Sequence, residues 1–152
     1  MQSGNVLIVD DEAKLRSLLK RVIALEGYAV FEAGDLRTAT RIIDREDIEV
    51  VVCDVKLPDG NGLEFIKQLK TKTPFSEIIL LTAYGNISDS VQAMKNGAFD
   101  YITKGDDNEK LVPILGHAIE KSRLQKRVQQ LEQQVIHAFS FDNIIGESPA
   151  FL

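Results

Sequence analysis

The sequence has one cysteine, two histidines and no long apolar run among its 152 residues. A single cysteine, Cys53, excludes an internal disulfide, and its place in an apolar segment favours a buried, unreactive thiol. No apolar run approaches the roughly 18–20 residues of a membrane span, and the N-terminus lacks a signal-peptide pattern. We therefore expect a cytoplasmic protein. Its net charge of −5 gives no general reason to bind nucleic acid.

What the sequence does have is an alternation of short β-rich runs with segments of helical period. The apolar content of 44% is normal for a globular chain, and the length suits one domain of about 100–150 residues plus an appendage. Five strands are predicted, at 5–9, 28–33, 50–53, 77–81 and 99–103. Because strands and helices alternate, we expect an α/β fold, a doubly wound five-stranded parallel sheet with helices on both faces.

Helical patterns fill the segments between these strands. The first helix ends at Gly27, a stop signal, and carries one apolar stripe made of Leu15, Leu18, Leu19, Val22 and Leu25. Three further helices are predicted within 36–46, 62–72 and 87–97. A long final helix begins at about residue 107.

The final helix continues beyond the length that a small domain needs. Its first part can face the sheet through Leu111, Leu115, Ala118 and Ile119. Further on, the pattern narrows to an a/d seam of roughly two heptads, formed by Leu124, Val128, Leu131 and Val135. Such a seam needs a partner helix, which predicts a homodimer. The alternative is a solvated tail whose apolar residues share a register by chance.

Polar residues follow four of the predicted strands directly. Asp10 and Asp11 end the first strand, Asp54 the third, Thr82 the fourth and Lys104 the fifth. Each has an ordinary interpretation. Asp11 could cap the first helix and Thr82 the fourth, Asp54 could start a turn, and Lys104 could be a solvated charge. However, the carboxyl ends of parallel strands share one edge, and ligands bind where the winding reverses. If the first strand is central, the three aspartates converge in one crevice.

Three carboxylates in one crevice repel one another, so a proton or a cation must lie among them. The ligands are oxygens, which favours a hard ion such as Mg²⁺, and Mg²⁺ is typically shared with phosphate oxygens. The pattern therefore indicates a phosphate-handling site. A carboxylate can attack phosphorus to give an aspartyl phosphate, with the metal and Lys104 neutralising the transferred group. Thr82 can donate a hydrogen bond to a phosphoryl oxygen.

The motifs VDDE, CDVKLPDGNG, LLTAYG and YITK, in this order and at these separations, resemble the receiver domain of bacterial two-component response regulators. The resemblance covers residues 5 to about 120 and implies a flavodoxin-like strand order 2-1-3-4-5. It implies that Asp54 accepts a phosphoryl group from a histidine of a partner sensor kinase. It further implies that Asp10 and Asp11 form an acidic pair, and that Mg²⁺ binds to this pair, to Asp54 and to the backbone carbonyl of Lys56. Thr82 and Tyr101 would form a switch pair, and Lys104 would contact the phosphate.

The chain departs from such domains at Gly105, where they usually have a proline, commonly in a cis bond. A cis bond to a non-proline residue costs about 2.5–4 kcal/mol, but glycine permits other geometries that still aim the Lys104 amine. A receiver-like scaffold that never accepts phosphate is therefore one alternative. The other is a magnesium-dependent phosphatase, which commonly needs a second acid at the place that Lys56 occupies.

The tail FDNIIGESPA resembles the opening of the AAA+ ATPase domain in NtrC-type, sigma-54-dependent transcriptional activators. We expect a receiver domain over 1–120, a helical coiled-coil linker over 121–138 and the start of a truncated AAA+ domain over 139–152. The phosphate-binding loop of an ATPase and a DNA-binding helical pair are absent, so we expect a regulatory fragment that is not an enzyme and does not bind nucleic acid. His117 and His137 are interpreted as ordinary helix and linker residues.

Overall fold

A computed structural model describes residues 4–83, 86–104 and 108–145 of the chain. The prediction for Gly105 and the predicted AAA+ residues from 146 onward lie outside this part. No helix within the described ranges is long and apolar enough to cross a lipid bilayer.

The core of the fold is a five-stranded parallel sheet. Its strands are β1 (Asn5–Val9), β2 (Ala29–Ala33), β3 (Val50–Asp54), β6 (Glu77–Thr82) and β7 (Asp100–Thr103). The strand order is β2-β1-β3-β6-β7, and every pair is parallel. Two short antiparallel strands, β4 (Lys56–Leu57) and β5 (Gly60–Asn61), form a separate hairpin after β3. The predicted order 2-1-3-4-5 of the five sheet strands is therefore confirmed.

Five helices cover the two faces of the sheet: α1 (Ala13–Leu25), α2 (Leu36–Arg45), α3 (Gly62–Lys72), α4 (Ile87–Asn96) and α5 (Asn108–Ile145). Alternate residues of a strand point to opposite faces. Leu7 and Val9 accordingly belong to the core under α2, α3 and α4. Val6 and Ile8 belong to the core under α1 and α5. The predicted doubly wound arrangement is thus confirmed, and the central strands are buried on both faces.

The predicted apolar stripe of α1 is partly wrong. Leu19 and Ile23 are the buried residues of this helix, whereas Leu18 is 40% and Leu25 80% exposed. Residues four apart lie on the same face of a helix, so burying Leu19 and Ile23 turns Leu18 and Leu25 toward the border of that face and away from the sheet. Ile23, which is buried, lies outside the predicted stripe.

Helix α5 is continuous from Asn108 to Ile145 and has two different parts. The predicted sheet-facing residues are confirmed, because Leu111, Leu115, Ala118 and Ile119 are all buried. Beyond residue 126 the described side chains of the helix are exposed. The predicted seam residues, Leu124, Val128, Leu131 and Val135, are each at least half-exposed. The assignment of residues 121–138 as a coiled-coil linker stays a prediction.

The amino edge of the sheet holds α5 through ion pairs. Glu77 begins β6 with a fully buried carboxylate, which also lies 3.2 Å from Lys70 Nζ. Ion pairs join α5 to this edge: Arg123–Glu49 at 2.8 Å, Lys121–Glu77 at 3.5 Å and Lys126–Asp47 at 2.9 Å. The helix is therefore fixed to the receiver as far as residue 126.

Candidate functional site

Asp54 is the last residue of β3, and the four residues before it in this strand are apolar. Strand β3 lies between β1 and β6, so its residues are buried on both faces, and Asp54 itself is only 9% exposed. Its Oδ1 accepts a hydrogen bond from the Val55 N–H at 2.7 Å, and its Oδ2 accepts one from Lys104 Nζ at 2.8 Å. Both carboxylate oxygens are thus oriented, with one bonded to a cation.

Asp10 and Asp11 lie beside Asp54 because β1 is the neighbour of β3. One carboxylate oxygen of each of the three residues lies within 4.8 Å of those of the other two. Asp10 is fully buried and Asp11 is exposed. The interpretation of Asp11 as a cap of α1 is wrong, because the N-cap is Glu12 and no side chain caps the helix. Asp10 instead accepts the Glu12 N–H at 2.8 Å.

Lys104 is the cation of this cluster and is not a solvated charge. Its Nζ lies 2.8 Å from Asp54, 3.3 Å from Asp10 and 3.5 Å from Glu12. Burial by itself lowers the pKa of the Lys104 ammonium, but its hydrogen bond to Asp54 and the charges of Asp54 and Asp10 outweigh burial and raise the pKa above its ordinary value. The amine therefore stays charged at neutral pH.

The acidic cluster fits a divalent cation with oxygen ligands. Burial raises the pKa of Asp10; the Glu12 N–H bond lowers it, and the negative charge of Asp54 adds to the rise. Asp10 Oδ2 is buried and accepts no hydrogen bond from any described residue, although it lies 3.3 Å from Lys104 Nζ. The single ammonium of Lys104 does not balance three clustered carboxylates, and a divalent cation beside this oxygen would offset the remaining negative charge. These three aspartates could therefore hold a metal.

Thr82 lies on β6, the neighbour of β3, and Tyr101 lies on β7, which pairs with β6 at the edge of the sheet. Thr82 ends β6, is 2% exposed, and its hydroxyl lies 3.5 Å from the Ile102 carbonyl oxygen. It does not cap α4, because the N-cap is Asn86, whose side chain accepts the Asp89 N–H. Tyr101 is 42% exposed, and both residues line a groove of about 460 Å³ between α4 and β7. The predicted switch pair thus shares one groove, while its switching stays a prediction.

Lys56 begins the β4–β5 hairpin that follows Asp54, with its side chain exposed. The predicted role belongs to its backbone carbonyl and stays a prediction. The hairpin returns to the site because the Gly62 N–H donates to the Val55 carbonyl oxygen at 2.7 Å.

Two residues of the site were missed by the sequence analysis. Glu12 lies 3.5 Å from Lys104, and its only signal is its place in the acidic run VDDE. Gly62 lies so close to Asp54 that a Cβ there would come 2.2 Å from the Asp54 carbonyl oxygen. A side chain at this position would displace the backbone that carries Asp54. The motif GNG contains this glycine but does not reveal the close approach.

The chain matches known proteins over most of its length. The sequence profile described as "Response regulator receiver domain" matches residues 6–116. The regulatory protein AtoC of Escherichia coli (strain K12) is 31% identical over 149 residues, which are 98% of this chain and 32% of AtoC. The DNA-binding transcriptional regulator NtrC of Proteus hauseri is 32% identical over 150 residues, 99% of this chain and 31% of NtrC. This chain thus spans about a third of the length of these relatives.

Solved structures show the same likeness. The beryllofluoride-activated NtrC4 receiver domain dimer has a TM-score of 0.73 at 36% identity, covering 78% of this chain and 98% of that one. The crystal structure of NtrX from Brucella abortus has a TM-score of 0.78 at 28% identity, covering 86% of this chain and 30% of NtrX.

Proposed function

Because this chain belongs to the response regulator receiver domain family, we propose that its Asp54 accepts a phosphoryl group from the phosphohistidine of a sensor histidine kinase. The observation that carries the proposal is the position of the Asp54 carboxylate, 2.8 Å from Lys104 Nζ and beside the Asp10 and Asp11 carboxylates. A nucleophilic carboxylate, a fixed cation and a cluster that could hold a metal are together the parts that phosphoryl transfer needs.

The transfer is a displacement at phosphorus. One Asp54 oxygen forms the new P–O bond, the P–N bond to the donor imidazole breaks, and its electron pair leaves with the imidazole nitrogen, which takes up a proton. Lys104 offsets the charge of the phosphoryl oxygens throughout, because its raised pKa keeps it protonated. The buried strand β3 limits the motion of Asp54, so little reorganisation is needed at the moment of attack.

Mg²⁺ is the proposed metal of the acidic cluster. Asp10, Asp11, Asp54 and the backbone carbonyl of Lys56 would hold it, and an all-oxygen set suits this ion. When bound, Mg²⁺ would neutralise phosphoryl charge on the side away from Lys104. Asp54 and Lys104 themselves bind and orient the phosphoryl group.

The proposed role of the acyl phosphate is regulatory. The chain would act as a phosphorylation switch in the cytoplasm, hydrolysing its acyl phosphate only slowly. It would form a homodimer through α5 and control the AAA+ ATPase domain of a longer, sigma-54-dependent transcriptional activator. The support is the long helix α5 with its exposed seam and the names of the relatives, which include a DNA-binding transcriptional regulator.

Phosphoryl uptake tests the proposal. With Mg²⁺ and a small acyl phosphate, intact-mass spectrometry is expected to show one added phosphoryl group per chain, and prior chelation of Mg²⁺ should abolish the uptake. A receiver-like scaffold would take up none. A phosphatase would turn over many equivalents of donor without a lasting adduct. Either result would overturn the assignment.

The response to phosphorylation is expected to depend on Thr82. The Thr82 hydroxyl would bond a phosphoryl oxygen in one state only, which lets it bias an equilibrium between two positions of Tyr101. Its inward movement vacates space into which the half-exposed Tyr101 ring turns, altering the face made by α4, β7 and α5. Thr82→Ala should therefore leave phosphoryl uptake largely intact but reduce the chemical-shift changes around Tyr101.

Nuclear magnetic resonance of the phosphorylated and unphosphorylated chains measures this response. Ser90→Ala is the matched control, because Ser90 lines the same groove but its hydroxyl donates to the Asn86 carbonyl oxygen. Equal shift changes near Tyr101 in Thr82→Ala and in the parent would contradict the switch assignment.

A further inference from the structure

We infer that the α5 helices of two copies pair in parallel and in register, and that ion pairs between Arg127 of one copy and Glu132 of the other select this arrangement. The inference rests on the dimer of the proposed function and adds its orientation and register. It concerns the exposed face of α5 beyond the receiver domain.

The seam lies on the side of α5 that faces away from the receiver. Leu115 and Ser122 are fully buried against the sheet. Leu124 lies nine residues after Leu115, and Leu131 lies nine residues after Ser122. Because nine residues make about two and a half turns of an α-helix, Leu124 and Leu131 lie on the opposite side of the helix from the two buried residues. The seam residues are therefore left exposed, at 55% for Leu124, 55% for Val128, 50% for Leu131 and 68% for Val135.

The residue types of the seam favour a coiled coil of two helices. The spacing of four, three and four residues assigns Leu124 and Leu131 to d positions and Val128 and Val135 to a positions. Among parallel coiled coils, valine at a with leucine at d favours two helices over three or four. A second copy of this chain supplies the same four seam residues, so the two helices would pack them against one another in four layers.

The charges beside the seam distinguish the two orientations. Arg127 occupies a g position and Glu132 the e position five residues later. In a parallel pair in register, a g residue faces the e residue of the partner's following heptad, so Arg127 would meet Glu132 of the partner subunit on both sides of the dimer. In an antiparallel pair with the same four layers, g faces g and e faces e. Arg127 would then face Gln134 of the partner subunit, and Glu132 would face Gln125 of the partner subunit.

Arg127 and Glu132 are available for this contact. Both are exposed, and neither makes an ion pair within the part of the chain that the structure describes. This contrasts with Arg123 and Lys126, which are paired with the receiver. Arg123 and Lys126 thus anchor the helix to the receiver, whereas Arg127 is left for a contact with a second copy.

The contacts of Lys121 define where the paired region begins. Lys121 occupies the a position one heptad before Val128. Its Nζ lies 3.5 Å from Glu77 Oε1 and 5.7 Å from the centroid of the Phe99 ring. This contact draws its charge toward the receiver. Pairing therefore starts at Leu124. Parallel helices would then carry both receivers at one end and both following chain segments at the other.

A charge-swap series tests the pairing. Arg127→Glu and Glu132→Arg each place like charges across the dimer and should each weaken it by roughly 2- to 30-fold, the effect of two exposed ion pairs. The double variant restores opposite charges and should recover the parent affinity. Sedimentation at several concentrations measures the dimer dissociation constant. Glu120→Arg is the control, because its g position faces glutamine, and it should have no effect.

Cysteine cross-linking reports the orientation independently. Leu124→Cys and Val135→Cys should each form a disulfide with their own kind in a parallel dimer, whereas an antiparallel dimer would cross-link only when the two variants are mixed. Cross-linking in the mixture alone, or single charge variants that bind as the parent does, would overturn the inference while leaving the dimer. A parent chain that is monomeric at all concentrations would overturn both, without touching phosphoryl uptake by Asp54.

Discussion

Replacing Asp54 by asparagine is expected to abolish phosphoryl uptake entirely. The amide group is not a nucleophile toward phosphorus, so no acyl phosphate can form at this position. The fold should survive, because the asparagine carbonyl oxygen can still accept the Val55 N–H that Asp54 Oδ1 accepts now. Uptake is measured by intact mass after incubation with Mg²⁺ and a small acyl phosphate.

Asp59→Asn is the matched control for this substitution. Asp59 lies five residues further on, and its carboxylate accepts the N–H groups of Leu36 and Arg37 at the start of α2. It takes no part in the acidic cluster, so its variant should label like the parent. Equal labelling of Asp54→Asn and the parent would show that the phosphoryl group resides elsewhere.

Replacing Leu131 by aspartate is expected to convert a dimer into monomers at micromolar concentration. Each buried aliphatic side chain contributes roughly 1.5–3 kcal/mol, so the eight seam residues of two helices contribute on the order of 10–20 kcal/mol. Association itself costs about 4–15 kcal/mol, which leaves a dimer of moderate stability. Two like charges at the centre of the seam would remove most of what remains, because a buried unpaired charge is costly.

Analytical ultracentrifugation measures this effect, with Gln133→Asp as the control. Gln133 lies at an f position, opposite the seam, so the same added charge should leave the dimer intact. An undiminished dimer in Leu131→Asp would move the interface to the receiver surface and leave the linker as a passive spacer.

The architecture could be predicted because its signals are local and strong. Strands buried on both faces read as continuous apolar runs. The strand predicted at 5–9 coincides with β1, and each of the other four predicted strands differs from the observed strand by one residue at one end. The site could be predicted for a related reason. Residues that follow parallel strands share one edge, so Asp10, Asp54 and Lys104 meet although they are far apart in sequence.

The features that escaped prediction depend on contacts between segments. Leu18 and Leu25 are as apolar as Leu19, and only packing against the sheet decides which of them is buried. The β4–β5 hairpin has two-residue strands, too short for any alternation to appear. Gly62 is required by its approach to the Asp54 backbone, which no spacing in the sequence reveals.

Locating the phosphoryl group in the labelled chain tests the central claim most directly. Borohydride reduces an acyl phosphate to an alcohol, so reduction followed by digestion and tandem mass spectrometry marks the carboxylate that carried the phosphoryl group. The account predicts a reduced side chain at Asp54 alone, and only in samples that contained Mg²⁺. A reduced side chain at Asp10, Asp11 or any other carboxylate, with Asp54 unchanged, would contradict it.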